Sequence, residues 1–392
     1  MAEWRGVLMP VAAMLGAQAL LSMATVTLPV LAPAAAGAIG APVAWVGLFV
    51  AVIYACSMAC GLASGALVRR WGALRLAQLY LLSASAGVSL LATGHVAGVA
   101  SGAVLLGMGY GPLNPASSHL LNRVSPPRHL STIFSLKQSG VLAGALLPPL
   151  VLWGGWRAAA LCVAGARALL ALALQPLRAG FDADRTPGAR VGLDNLAEPA
   201  RLAIADGAGR PLALSSFIFA ALQLCLGTYL VAYLTGEQGY DLVQAGLTLA
   251  VAQGAGVAGR LLSGALADRG GRPRRVMGVM GCTMGACAIA SAFAGHRPTP
   301  LLLLLYAMFG ASAIGWNGVY LAEVARRAPA GAVSAATAAA LFVTFGGVLA
   351  GPPAFAFMLQ SGMSYGAAFA AIAAPALLCG LVLLRSPPPA TA

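Results

Sequence analysis

The sequence predicts an all-α polytopic membrane protein: twelve transmembrane helices in two pseudo-symmetric six-helix bundles. Three observations point there. Apolar residues make up 60% of the chain and charged ones 8%, and the apolar residues gather in runs long enough to cross a hydrocarbon core roughly 30 Å thick. The basic residues sit in short clusters between those runs, so the net charge of +13 reads as a positive-inside bias. A nucleic-acid partner is excluded on the same ground, since it would call for one continuous basic face. Third, features of the first half recur in order in the second.

Apolar runs of spanning length place the first six helices at about 6–33, 43–68, 74–93, 97–122, 130–153 and 157–177. The second six fall at about 211–235, 241–266, 276–295, 299–324, 331–359 and 364–384. Residues 1–177 and 211–392 are thus the expected bundles, joined by a polar cytoplasmic linker, 178–210. In the linker, Thr186-Pro187-Gly188 predicts a turn, and 193–204 could form a short surface helix. The start of the chain leads into span one without a small-residue cleavage site, which predicts a retained helix rather than a signal peptide. Cations cluster on one side, from Arg5 through Arg128, the linker and Arg269 to Arg385, while Arg157 and Arg297 face the other. That asymmetry predicts an integral protein of the cytoplasmic membrane with both termini inside. The seven cysteines all lie in apolar runs, without the His or Cys neighbours a metal site needs, and read as small apolar fillers.

The duplication is carried by loops. Span eight ends in Gly264-Ala-Leu-Ala-Asp268-Arg269-Gly-Gly-Arg272-Pro-Arg-Arg275, and the same frame stands 199 residues earlier as Gly65-Ala-Leu-Val-Arg69-Arg70-Trp-Gly72-Ala-Leu-Arg75. Asn114, Arg123 and Pro126 recur as Asn317, Arg326 and Pro329, each 203 residues on. Gly-Val-Leu-Ala-Gly appears at 140–144 and again at 347–351. The later loop resembles the G-x-L-x-D-R-x-G-R-R signature of the major facilitator superfamily, with Pro273 interrupting its basic run. The first copy departs, with Arg69 at the Asp position and Ala73-Leu74 replacing two basic residues. The resemblance implies a secondary transporter whose cavity is lined by helices one, two, four, five, seven, eight, ten and eleven.

Candidate chemistry lies in matching places of the two halves. Span four carries Gly107-Met-Gly-Tyr110-Gly-Pro-Leu-Asn114-Pro115, and span ten carries Gly310-Ala-Ser-Ala-Ile-Gly-Trp316-Asn317-Gly318. Interrupted segments at corresponding positions point to a midplane site, making Tyr110, Asn114, Trp316, Asn317 and Tyr320 cavity candidates. The plainer alternative is that Gly and Pro only let these helices bend and pack. Lys137 in span five is the sharpest residue, because a charge two turns inside the membrane must face water or a partner. It reads as a countercharge for an anionic substrate, or else as a lysine snorkelling to the interface. Arg167 in span six is as deep but lies on a helix that the resemblance makes peripheral. Gln18, Tyr54, Gln138, Gln223, Tyr229 and Gln253 are further candidate substrate contacts, each of which could equally be a helix–helix hydrogen bond, as could Thr25, Ser57 and Tyr233. His119 could titrate near neutrality or simply face headgroups.

Gating is expected from the loops. Glu323 and Asp268 are placed to form an ionic latch with Arg269 and Arg272, while Gly65, Arg69, Arg70, Gly72 and Gly264 build the two loop frames. Apart from Glu323 and Asp241, each near the end of a span, no acid lies inside a predicted span, which disfavours a carboxylate proton relay and a cationic-drug antiporter. No catalytic cluster or phosphate loop is evident, so no enzyme activity and no cofactor are expected. The function predicted is transport of a small organic anion such as a carboxylate by a monomer in lipid, with proton symport, uniport and exchange open. The alternative is efflux of drugs or metabolites on the same fold.

Overall fold

The computed structural model describes residues 2–39, 46–140, 147–188, 209–270, 272–293 and 300–385. Among these the regular structure is helical. The helices are α1 (Ala2–Ile39), α2 (Val46–Leu62), α3 (Ser64–Trp71), α4 (Ala73–Leu91), α5 (Val96–Val124), α6 (Leu130–Gln138), α7 (Leu147–Ala173) and α8 (Arg178–Phe181). There follow α9 (Arg210–Gly236), α10 (Leu242–Gly270), α11 (Pro273–Ala292), α12 (Pro300–Gly315), α13 (Asn317–Arg327), α14 (Val333–Gln360) and α15 (Tyr365–Arg385). Ten spans among the described residues are long and apolar enough to cross a membrane, or eleven when the bent pair α2–α3 counts as one. The protein is an integral membrane protein.

The predicted spans map onto these helices with instructive exceptions. Span two is α2 plus α3, which meet at a 57° bend. Span five falls partly outside the described residues: its start is α6, and its end is the beginning of α7, which turns at Gly155 with φ 76°. That backbone conformation suits glycine because no Cβ meets the neighbouring carbonyl. Span four is the clear correction. It was expected to be interrupted, yet α5 runs continuously through Pro112 and Pro115. Gly107 and Gly111 serve a close crossing with α2 instead, since a Cβ at Gly107 would meet the Ile53 carbonyl and Cys56, and one at Gly111 the Ser57 carbonyl. The Ser57 hydroxyl donates to the Gly107 carbonyl at 3.1 Å. In span ten, α12 ends at Gly315 and α13 starts at Asn317, with Trp316 alone between them, and Pro300–Arg327 counts as one span. The proposed surface helix at 193–204 lies outside the described residues.

The chain divides into two compact units. Unit one comprises 1–127, 137–202 and 324–342; unit two comprises 128–136, 203–323 and 343–392. Unit one holds an apolar core of α1, α2, α4, α5 and α7 around Ala24, Ile53, Val88, Leu106 and Ala160. Arg167 is wholly buried in it, donating to the Leu20 carbonyl at 2.7 Å and the Leu81 carbonyl at 3.5 Å. It therefore ties α7 to α1 and α4. In unit two an aromatic layer of Phe309, Phe355, Phe369 and Tyr233 packs α9, α12, α14 and α15 together.

Candidate functional site

In unit one the polar candidates converge on one face of α5. Tyr110 and Asn114 are four residues apart and so share that face. Lys137 is 1% exposed, and its ammonium donates to Asn114 Oδ1 and, at 3.1 Å, to Gln138 Oε1. Asn114 and Gln138 are themselves buried. One turn away, Tyr54 of α2 meets Tyr110 edge to face with ring centroids 5.7 Å apart. Gln18 is buried on α1 with its carbonyl oxygen unpartnered among the described residues. The lysine thus does not snorkel. It is held inside unit one, where the neutral amide oxygens of Asn114 and Gln138 accept two of its three N–H groups.

Unit two assembles a second cluster around Gln223. Its Oε1 accepts from Trp316 Nε1 and from Asn317 Nδ2, both at 3.2 Å. Trp316 is fully buried between Phe219 and Tyr320. Tyr320 hydrogen-bonds Ser216 and Thr344, which also bond each other at 3.0 Å. Two candidates are placed elsewhere. Tyr229 donates to the Pro352 carbonyl at 2.9 Å and stacks on Phe355, so it joins α9 to α14. Gln253 is exposed on α10, near Gly227. Of the helix–helix candidates, Thr25 bonds back to Ser22, and Tyr233 donates to the Ser291 carbonyl.

Sequence reading passed over Arg260. It is 4% exposed on α10 and donates to the Ile314 carbonyl of α12 at 2.9 Å. The signal was present: a cation inside an apolar run, the criterion that singled out Lys137. Each unit therefore buries a cation at membrane depth on a helix that the resemblance puts beside the cavity.

The loop frames carry carboxylates in different ways. Asp268 accepts from the Ser131 and Thr132 amides at 2.9 and 2.6 Å, at the start of α6. Arg269 and Arg272, the partners expected from the sequence, are both exposed. A carboxylate there meets unsatisfied N–H groups and the positive end of the helix dipole. Gly264 makes the approach possible, because a Cβ would meet the Ser131 carbonyl at 2.8 Å. Glu323 pairs with Arg274 at 3.5 Å, with both side chains nearly buried. In unit one Gly65 packs against Ala335 in the same manner. There the acids come from the linker. Asp182 accepts from the Leu74 and Arg75 amides at 2.8 and 3.0 Å, capping α4. Asp184 bridges Arg123 and His119, the latter at 2.7 Å. The Thr186 amide donates to the Arg69 carbonyl at 2.7 Å, while Arg70 is exposed. Partial burial would raise the Asp184 carboxyl, but hydrogen bonds and charge from Arg123 and His119 outweigh it and hold the group below its ordinary range.

A family model described as the Major Facilitator Superfamily matches residues 14–352. The chain belongs to the major facilitator superfamily. Solved structures of the same fold cover it almost entirely. The Escherichia coli fucose:proton symporter FucP is 16% identical with a TM-score of 0.75, covering 97% of this chain and 98% of its own. The proton:xylose symporter XylE, bound to 6-bromo-6-deoxy-D-glucose, is 15% identical with a TM-score of 0.77, covering 98% and 96%. The human organic anion transporter MFSD10 is 18% identical with a TM-score of 0.73, covering 97% and 99%. At such identities the likeness establishes the fold alone. A search of curated proteins found no match. Membership of the major facilitator superfamily makes this chain a transporter by fold, and among its described residues no three His, Cys, Asp or Glu side chains gather to hold a metal.

Proposed function

We propose that the protein is a secondary active transporter moving a small organic anion, a carboxylate in the simplest case, by alternating access with proton symport. Its two halves would be 1–177 and 211–392 joined by a cytoplasmic linker, acting as a monomer in the cytoplasmic membrane with both termini inside. The observation that carries the substrate class is Lys137, a buried ammonium held by the neutral oxygens of Asn114 and Gln138. Burying a charge at that depth costs a few kcal/mol, and a carboxylate bound beside the ammonium would offset part of that cost. Arg260 supports the same sign of substrate from unit two. Gln18, Tyr54, Tyr110, Gln223, Trp316, Asn317 and Tyr320 would shape the cavity with neutral hydrogen bonds and rings. Gly65, Arg69, Arg70, Gly72, Gly264, Asp268, Arg269, Arg272 and Glu323 would form the gating loops, with Asp268 releasing the start of α6 when the cavity changes sides.

Uptake of labelled carboxylates and neutral solutes into proteoliposomes, with and without an inward proton gradient, tests this. Carboxylate uptake should rise with the gradient and fall at least about tenfold in Lys137→Ala, roughly the 1.4 kcal/mol or more expected of a lost charged contact. Equal transport by parent and variant would sink the anion reading. Energy-dependent efflux of hydrophobic compounds, unaffected by Lys137→Ala, would favour an exporter.

A further inference from the structure

Outside the polar clusters, unit two carries a groove of about 370 Å³ between α10, α11 and α12. Its walls are apolar and open to the outside of the bundle: Leu262, Leu266, Val279 and Met308 are all exposed there. On a membrane-spanning bundle such a face meets lipid tails. The groove exists because small residues line its floor, notably Gly259 and Ala311. By the 199- and 203-residue spacings of the duplication, unit one places the larger Cys60 and Met108 at these positions.

One end of the groove is not apolar. Arg275, in the first turn of α11, belongs to its lining and is exposed. Arg269 and Arg272, close to it in sequence, are also exposed. The acids nearest in sequence are engaged elsewhere, Asp268 by α6 amides and Glu323 by Arg274. From Arg275 the lining runs along α11 to Thr283, about 12 Å at the helical rise per residue. One leaflet of hydrocarbon is roughly 15 Å deep, so the groove accommodates most of one acyl chain measured from the headgroup. We propose that it is a specific site for an anionic phospholipid, with one acyl chain in the groove and the phosphate on Arg275. Charge complementarity selects this occupant: a guanidinium at the mouth prefers a net-negative headgroup to a zwitterionic one.

The test uses the full-length protein in detergent, titrated with phosphatidylglycerol or phosphatidylcholine. Native mass spectrometry reads bound lipid, and thermal melting reads stabilisation. The parent should retain one phosphatidylglycerol and melt higher with it than with phosphatidylcholine. Arg275→Gln should weaken phosphatidylglycerol binding about tenfold, to the level of phosphatidylcholine, as loss of one charged hydrogen-bonding contact predicts. Filling the groove with Ala311→Met, the residue unit one carries, together with Val279→Trp, should abolish retention of both lipids. Equal binding of the two lipids by the parent overturns the proposal without any variant. So does unchanged phosphatidylglycerol binding in the filled variant, or a dimer that this variant abolishes, which would make a second copy the occupant.

Discussion

The two loop frames began as one sequence and now solve one problem with different atoms. In both, a glycine near the end of span two or span eight seats a helix distant in sequence: Gly65 against Ala335, Gly264 against Ser131 and Ser135. The second frame supplies its own carboxylate, Asp268, to the amides at the start of α6. The first has Arg69 at that position, and its acids arrive from the linker, with Asp182 capping α4 and Asp184 holding His119 and Arg123. Spacing diverges as well, since α4 starts at Ala73 and α11 at Pro273, 200 residues apart rather than 199. Duplication preserved the close backbone approach, which only glycine permits, and let the charges move. A helix N-terminus accepts a carboxylate from any segment that can reach it.

This contrast can be broken at several points, and the largest effect should come from Gly72. Its φ of 89° and ψ of 158° lie in a region essentially reserved for glycine, and a Cβ would strike the Asp182 carboxylate. Gly72→Ala should cost about 3 kcal/mol, the upper end for such strain, seen as a lower melting temperature in detergent. Next is Asp268→Asn, which weakens a charged cap on α6. A loss of about 1–2 kcal/mol is expected, with faster hydrogen exchange at Ser131 and Thr132; unchanged exchange would separate Asp268 from gating. Asp182→Asn should cost about 1 kcal/mol on the same reasoning, with the change in exchange confined to Leu74 and Arg75.

The smallest effect is pH-dependent. Because the Asp184 carboxyl sits below its ordinary value in the folded protein, its contribution is complete above the ordinary carboxylate range and is lost as pH falls through the lowered value. Limited proteolysis near Asp184 should therefore be slow at neutral pH and accelerate in acid below about pH 4. Asp184→Asn should cleave at the fast rate at neutral pH too.

Much of this was readable before any fold was known. Apolar run lengths gave the spans because lipid offers no hydrogen bonds and forces every spanning segment into a helix. Depth alone singled out Lys137, since burying a charge in hydrocarbon is costly wherever it occurs. The same logic applied to Arg260 would have found it. Span four shows the limit: three glycines and two prolines look like an interruption, yet α5 is continuous, and the glycines leave notches instead, Gly107 and Gly111 for α2 and Gly109 for α4.

The sequence by itself determined a duplicated, membrane-spanning helical chain, the loop frames, and which residues lie too deep to be ordinary. Only the tertiary structure decided what each of them touches. Asp268 meets α6 across 136 and 137 residues of chain, Asp182 meets α4 across 107 and 108, and Gln223 meets Asn317 across 94. Local pattern sets helix length and depth through hydration and backbone bonding. Partners at such separations are selected by which helices pack side by side, and the apolar periodicity of a membrane helix does not encode that choice, because lipid and protein neighbours are equally apolar.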